Sequence, residues 1–133
     1  MEPLFIGNKT LESRLFTGTG KFSSAEKMEE ALVASGSQLV TVALKRVDIQ
    51  GKKDPILEHL IKHPQFNLLP NTSGARTADE AVRIARIARE AGCGNFIKIE
   101  VITDMRYLMP DNHETLLATD ILAREGFIVL PYV

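Results

Sequence analysis

Lys98 and Glu100 are the two residues whose types and spacing point most directly to chemistry. They interrupt the apolar run Phe96-Ile97-Lys98-Ile99-Glu100-Val101-Ile102. On an extended strand, a spacing of two turns both side chains to the same face. Keeping an ammonium in apolar surroundings is expensive, so a strand rarely carries one idly. One reading is structural: a buried ion pair, or a strand end where both groups reach water. The other is a nucleophilic lysine that forms a Schiff base with a carbonyl substrate, with the carboxylate as acid/base partner. A lysine must be neutral to attack, and an ordinary one, with pKa about 10.4, is neutral in roughly one molecule in 2500 at pH 7. An apolar setting favours the neutral amine and an ionised carboxylate opposes it, so such a pair titrates as a coupled unit.

The other candidates carry less. Gly18-Thr19-Gly20-Lys21 looks like a phosphate loop, but Leu15 stands where the Walker pattern needs its first glycine and Phe22 where it needs Ser or Thr. Its glycines keep a strand end open for substrate or simply make a tight turn. His59 and His63 have helical metal-ligand spacing, yet Leu60 replaces the glutamate of the metalloprotease pattern. A solvated helix face is the expectation there. Lys45-Arg46 after the second parallel strand suits an anion or a solvated strand end equally. Asn71-Thr72-Ser73-Gly74 joins a strand to a helix, the place where a (β/α)8 barrel builds its active site. Cys93 has no partner cysteine and follows a helix stop, so no reactive role is read for it.

These residues need elements to hold them. Leu4-Phe5-Ile6, Gly7-Asn8 and Lys9-Thr10-Leu11 spell a tight hairpin. Beyond it, apolar strands alternate with amphipathic helices. The strands are expected at Leu15–Thr17, Leu39–Leu44, Phe66–Leu69, Phe96–Ile102 and Phe127–Leu130. The first helix is expected to open with a capping box over Ser23–Glu26 and stop at Gly36. Asp54-Pro55 opens the second, with Ile56, Leu57, Leu60 and Ile61 on one side. Thr77–Glu80 is a second capping box, followed by a stripe of Ala81, Ile84, Ala85 and Ala88. The last helix starts at Asp111–Glu114 and packs through Leu117, Ile121 and Leu122. Five strands apolar on both faces, separated by four helices, argue for a parallel sheet with right-handed crossovers.

Composition narrows the class. The chain has 133 residues, 44% apolar and 25% charged, with six prolines, from which a single globular domain over 1–133 is expected, without disordered or low-complexity tracts. A net charge of −1 gives no basic excess for nucleic acid. No apolar run approaches the roughly 20 residues of a membrane span. Met1-Glu2-Pro3-Leu4 lacks the start of a secretory signal, and a single cysteine fits a reducing cytoplasm. A complete (β/α)8 barrel takes roughly 250 residues, so the chain is either a small open sheet or a little over half of a barrel.

Taken in order, several segments resemble the bacterial thiazole synthase family of thiamine biosynthesis. They are Ser13-Arg14-Leu15-Phe16-Thr17-Gly18-Thr19-Gly20-Lys21-Phe22, Leu68-Leu69-Pro70-Asn71-Thr72-Ser73-Gly74-Ala75 with Thr77-Ala78-Asp79-Glu80-Ala81, Ile97-Lys98-Ile99-Glu100-Val101-Ile102, and Gly126-Phe127-Ile128-Val129-Leu130-Pro131-Tyr132. The resemblance implies an α/β fold, part of a (β/α)8 barrel comprising strands one to five, with an amino-terminal hairpin across its lower end. It implies a cytoplasmic homo-oligomer, commonly a tetramer, without cofactor or metal. Its reaction joins 1-deoxy-D-xylulose 5-phosphate, dehydroglycine and the thiocarboxylate of a sulfur carrier protein into the thiazole phosphate. The family's Schiff-base lysine falls on Lys98 and its first catalytic carboxylate on Glu100. The family's second catalytic aspartate and its phosphate-binding glycine loops belong to strands six to eight, so the 133 residues alone are expected to be inactive. Two other readings remain: another Schiff-base phosphosugar enzyme of the class I aldolase kind, separated by sulfur incorporation, and a non-catalytic half-barrel that assembles through its strand edges.

Overall fold

The computed structural model describes residues 2–44 and 54–133. Its elements follow the expected alternation. β1 (Leu4–Ile6) and β2 (Lys9–Leu11) form an antiparallel hairpin with Ile6 opposite Lys9. Gly7 turns it with φ 59°, a left-handed value that suits glycine. Next come β3 (Phe16–Gly18), α1 (Ala25–Ser35), β4 (Leu39–Ala43), α2 (Pro55–Ile61), β5 (Asn67–Asn71), α3 (Ala78–Glu90) and β6 (Phe96–Ile99). A second small hairpin, β7 (Ile102–Asp104) with β8 (Met109–Pro110), precedes α4 (Asn112–Arg124) and β9 (Ile128–Pro131). The expected parallel sheet is present, with five strands in the order β3-β4-β5-β6-β9. No helix among the described residues is long and apolar enough to cross a membrane.

The chain divides into two compact units, which among the described residues comprise 2–42 with 54–68, and 43–44 with 69–133. In the first, Ser24 caps α1 by accepting from the Lys27 amide at 3.2 Å. The cap thus lies one residue beyond the expected Ser23, and Gly36 ends the helix at φ 67° as its left-handed stop. Asp54 caps α2, its carboxylate taking the Ile56 amide at 2.8 Å, with Pro55 at the first turn where its missing N–H costs nothing. Leu57 and Leu60 are buried, whereas Ile61 is exposed, so the apolar side of α2 is narrower than its four residues suggested. β5 runs on through Pro70 to Asn71, because the fixed φ of proline is compatible with extended backbone.

The second unit holds a core of Ala81, Val82, Ala85, Ile97, Ile99, Val101, Ala118, Leu122 and Phe127, with Ile84, Ile121 and Val129 against it. Small residues on α3 and α4 let the two helices come close, and α4's Glu114 carboxylate accepts the Ala78 amide at the start of α3. Thr77 caps α3 through the Glu80 amide at 3.2 Å, and the Glu80 carboxylate takes the Arg76 amide at 2.8 Å, one residue before the cap itself. The expected stripe of α4 is corrected at one position: Leu117 is exposed, and Thr115 and Ala118 are buried in that part of the helix.

The largest departure falls on the apolar run 96–102. It is not one strand. β6 ends at Ile99, Val101 makes a single parallel bridge to Ala75, and Ile102 already belongs to the β7–β8 hairpin. At Glu100 both backbone groups are taken by the hydroxyl of Thr72 instead of by a neighbouring strand.

Candidate active site

Lys98 stands one residue before the end of β6, in register with Asn71 at the end of β5 and with Leu130 on β9. Ile97 and Ile99 on either side of it are fully buried on the helix-covered face, which turns Lys98 the other way. Glu100 follows on Lys98's side, and the Lys98 Nζ lies 3.0 Å from its Oε1. Of the two side chains the lysine is 39% exposed and the carboxylate 16%. The pair therefore sits at a strand end open to solvent on the lysine's side. Catalytic groups in parallel α/β folds gather at this carboxyl end of the strands.

The loop after β5 frames the pair. Thr72 is fully buried; its amide donates to the Lys98 carbonyl at 3.1 Å. Its hydroxyl donates to the Glu100 carbonyl and accepts from the Glu100 amide, both at 2.8 Å. Asn71 Oδ1 accepts the Ser73 amide at 3.1 Å, closing the turn, and Gly74 supplies φ 96°. Opposite, Tyr132 donates its amide to the Ile99 carbonyl at 2.9 Å and its hydroxyl to the Leu108 carbonyl at 3.0 Å. That ties the chain after β9 to the hairpin that follows Glu100. The sequence singled out the polar loop 71–74 but not Thr72; a threonine between an asparagine and a serine has too many ordinary turn roles to stand out.

The remaining candidates are carried by other elements. Thr19 donates its hydroxyl to the Thr41 carbonyl at 3.2 Å, and a side chain at Gly18 would meet the Thr41 hydroxyl at 3.3 Å, so both residues pack against β4 in the first unit. His59 and His63 do not form a solvated face: both ring systems hydrogen-bond the Glu29 carboxylate of α1, His59 through Nδ1 and His63 through Nε2. The His63 and His59 bonds hold the Glu29 carboxyl below the usual carboxylate range. No group of three or more metal-ligating side chains able to hold an ion occurs among the described residues. Cys93 is buried. Lys45-Arg46 falls outside the described residues.

The geometry defines an α/β protein that carries a lysine–carboxylate pair at the carboxyl end of a parallel strand. The family model described as thiazole biosynthesis protein ThiG matches residues 5–133, and the chain belongs to that family. It is 60% identical over 132 residues to a thiazole synthase of Oleidesulfovibrio alaskensis, covering 99% of this chain and 49% of that protein. It is 61% identical to those of Moorella thermoacetica, over 99% of this chain and 51% of the relative, and Pelotomaculum thermopropionicum, over 100% and 52%. The chain thus spans about half the length of the curated relatives it matches. A crystal structure of an Amycolatopsis orientalis BexX/CysO complex is similar at TM-score 0.76 and 28% identity, over 100% of this chain and 55% of that one.

Proposed function

We propose that the chain supplies the Schiff-base half of a thiazole synthase. In this reading 1–133 is one domain of a (β/α)8 barrel, its strands one to five, and the rest of the relatives' length brings the phosphate grip and a second acid/base group. Lys98 is the nucleophile. Its neutral amine adds to the ketone of 1-deoxy-D-xylulose 5-phosphate, the carbinolamine loses water, and the resulting iminium withdraws electrons from the neighbouring C–H bonds. Glu100, at 3.0 Å, is within reach to take the lysine's proton and to return one as the carbonyl moves along the sugar. Sulfur then arrives from the thiocarboxylate of a sulfur carrier protein, and condensation with dehydroglycine closes the ring. Homo-oligomeric assembly, commonly a tetramer, and a cytoplasmic location complete the reading.

The observation that carries it is the Lys98–Glu100 pair on one face at a strand's carboxyl end, in a chain of this family. The carrier partner draws support from the complex in which the similar solved structure was determined. The test is borohydride trapping with 1-deoxy-D-xylulose 5-phosphate, followed by intact-mass measurement and peptide mapping. One reduced adduct on Lys98 is expected. Adducts spread over several lysines would remove Lys98 from its role.

A further inference from the structure

Glu100 sits where the regular ladder of the sheet fails. β6 ends one residue before it, and pairing resumes only as the single Ala75–Val101 bridge one residue after it. The gap is filled by a side chain. The Thr72 hydroxyl occupies both backbone groups of Glu100, and the Thr72 amide occupies the carbonyl of Lys98. A hydroxyl can do this because it donates and accepts from one atom. Thr72 is itself fixed, fully buried, with its carbonyl accepting the Ala75 amide at 2.9 Å. One residue therefore holds the backbone on both sides of Ile99, and the two residues it holds are those whose side chains meet.

We propose that Thr72 is the positioning residue of the Lys98–Glu100 pair. It acts through the backbone of Glu100, fixing where the carboxylate stands relative to the amine. The inference rests on the reading of Lys98 as a Schiff-base nucleophile and adds the residue that sets its distance from the acid/base group. Positioning of this kind matters because a misplacement of about 1 Å can cost about a hundredfold in rate. Thr72→Val keeps the shape but strips Glu100's amide and carbonyl of their partner; Thr72→Ser keeps the hydroxyl.

Two readouts on the 133-residue chain decide the matter: amide hydrogen exchange by NMR, and the rate of borohydride-trapped adduct at Lys98 between about pH 6 and 9. In Thr72→Val, exchange of the Glu100 amide should rise at least about tenfold while α3 and α4 amides stay as in the parent. Trapping should fall about tenfold to a hundredfold with an altered pH profile, and Thr72→Ser should stay within about threefold of the parent on both counts. Parent-like exchange and trapping in Thr72→Val overturn the proposal. So does faster exchange throughout the second unit, or a Thr72→Val chain that fails to fold, since either makes Thr72 a general stability residue. A parent chain with no adduct means that the amine needs the rest of the relatives' length to react, and Glu100 exchange then decides Thr72 alone.

Discussion

Lys98 and Glu100 share a face although the strand that carries Lys98 ends between them. The alternation of side chains carries past the end of the ladder, where the Thr72 hydroxyl bonds both backbone groups of Glu100. The nucleophile and its partner can then be separated by mutation. Lys98→Arg keeps a cation beside Glu100 but removes the attacking amine, so trapping with the ketose phosphate should disappear. Glu100→Gln keeps the amine and should slow trapping by about 10²- to 10⁴-fold. Peptide mapping of reduced adducts checks both, and an unchanged rate in Glu100→Gln would take the acid/base role from Glu100.

The pair was legible in the sequence because two charges break an otherwise apolar strand. The break in the strand was not. Val101 and Ile102 favour strands as strongly as the residues before them, so local preference continues past Ile99. Where the ladder stops, the Glu100 backbone is bonded by a side chain 28 positions upstream, a contact that periodicity does not encode. The β7–β8 hairpin was hidden for a related reason. Its turn rests on Asp104 Oδ1 accepting the Arg106 amide at 2.9 Å, and its second strand is only Met109–Pro110. Helix starts were legible at Asp54, Thr77 and Asp111 because capping chemistry is local.

Leu117 and Leu122 test the packing of α4 directly. Both belong to the apolar side expected from sequence, but Leu122 is fully buried in the core and Leu117 is exposed. Leu122→Ala should cost about 2–5 kcal/mol, the range for a buried leucine. Leu117→Ala should stay within about 0.5 kcal/mol. Denaturant melts of the two variants give the comparison, and equal losses would place Leu117 in a core contact.

Glu29 makes the first unit sensitive to acid. Its carboxyl is held below the usual range by hydrogen bonds to His63 and His59. A carboxyl whose folded value lies below its unfolded one binds fewer protons when folded, so its contribution to stability is present above the unfolded value. That contribution is lost as pH falls through the folded value. Glu29→Gln lacks it, so its deficit in melting temperature against the parent should be widest near neutrality and shrink on acidification below the ordinary glutamate range. A deficit that stays constant with pH would mean that the carboxylate's charge contributes nothing.

Leu108 holds a left-handed backbone, φ 54°, in the hairpin that follows Glu100. For an L-residue with a Cβ that conformation costs about 1–2 kcal/mol, because the Cβ approaches the next carbonyl. The Tyr132 hydroxyl donates to the Leu108 carbonyl at 3.0 Å. Two substitutions should therefore act in opposite directions. Leu108→Gly removes the clash but gives up unfolded-state restriction, and with the leucine side chain exposed it should stabilise the chain by about 0.5–1 kcal/mol. Tyr132→Phe removes the bond and leaves the strain, so it should destabilise by about 0.5–1.5 kcal/mol. If the bond serves to hold the strained residue, the Tyr132→Phe loss should be smaller in the Leu108→Gly background than alone. A double-mutant cycle measured by denaturant unfolding reads that coupling, and strictly additive effects would show that the phenol and the turn act independently.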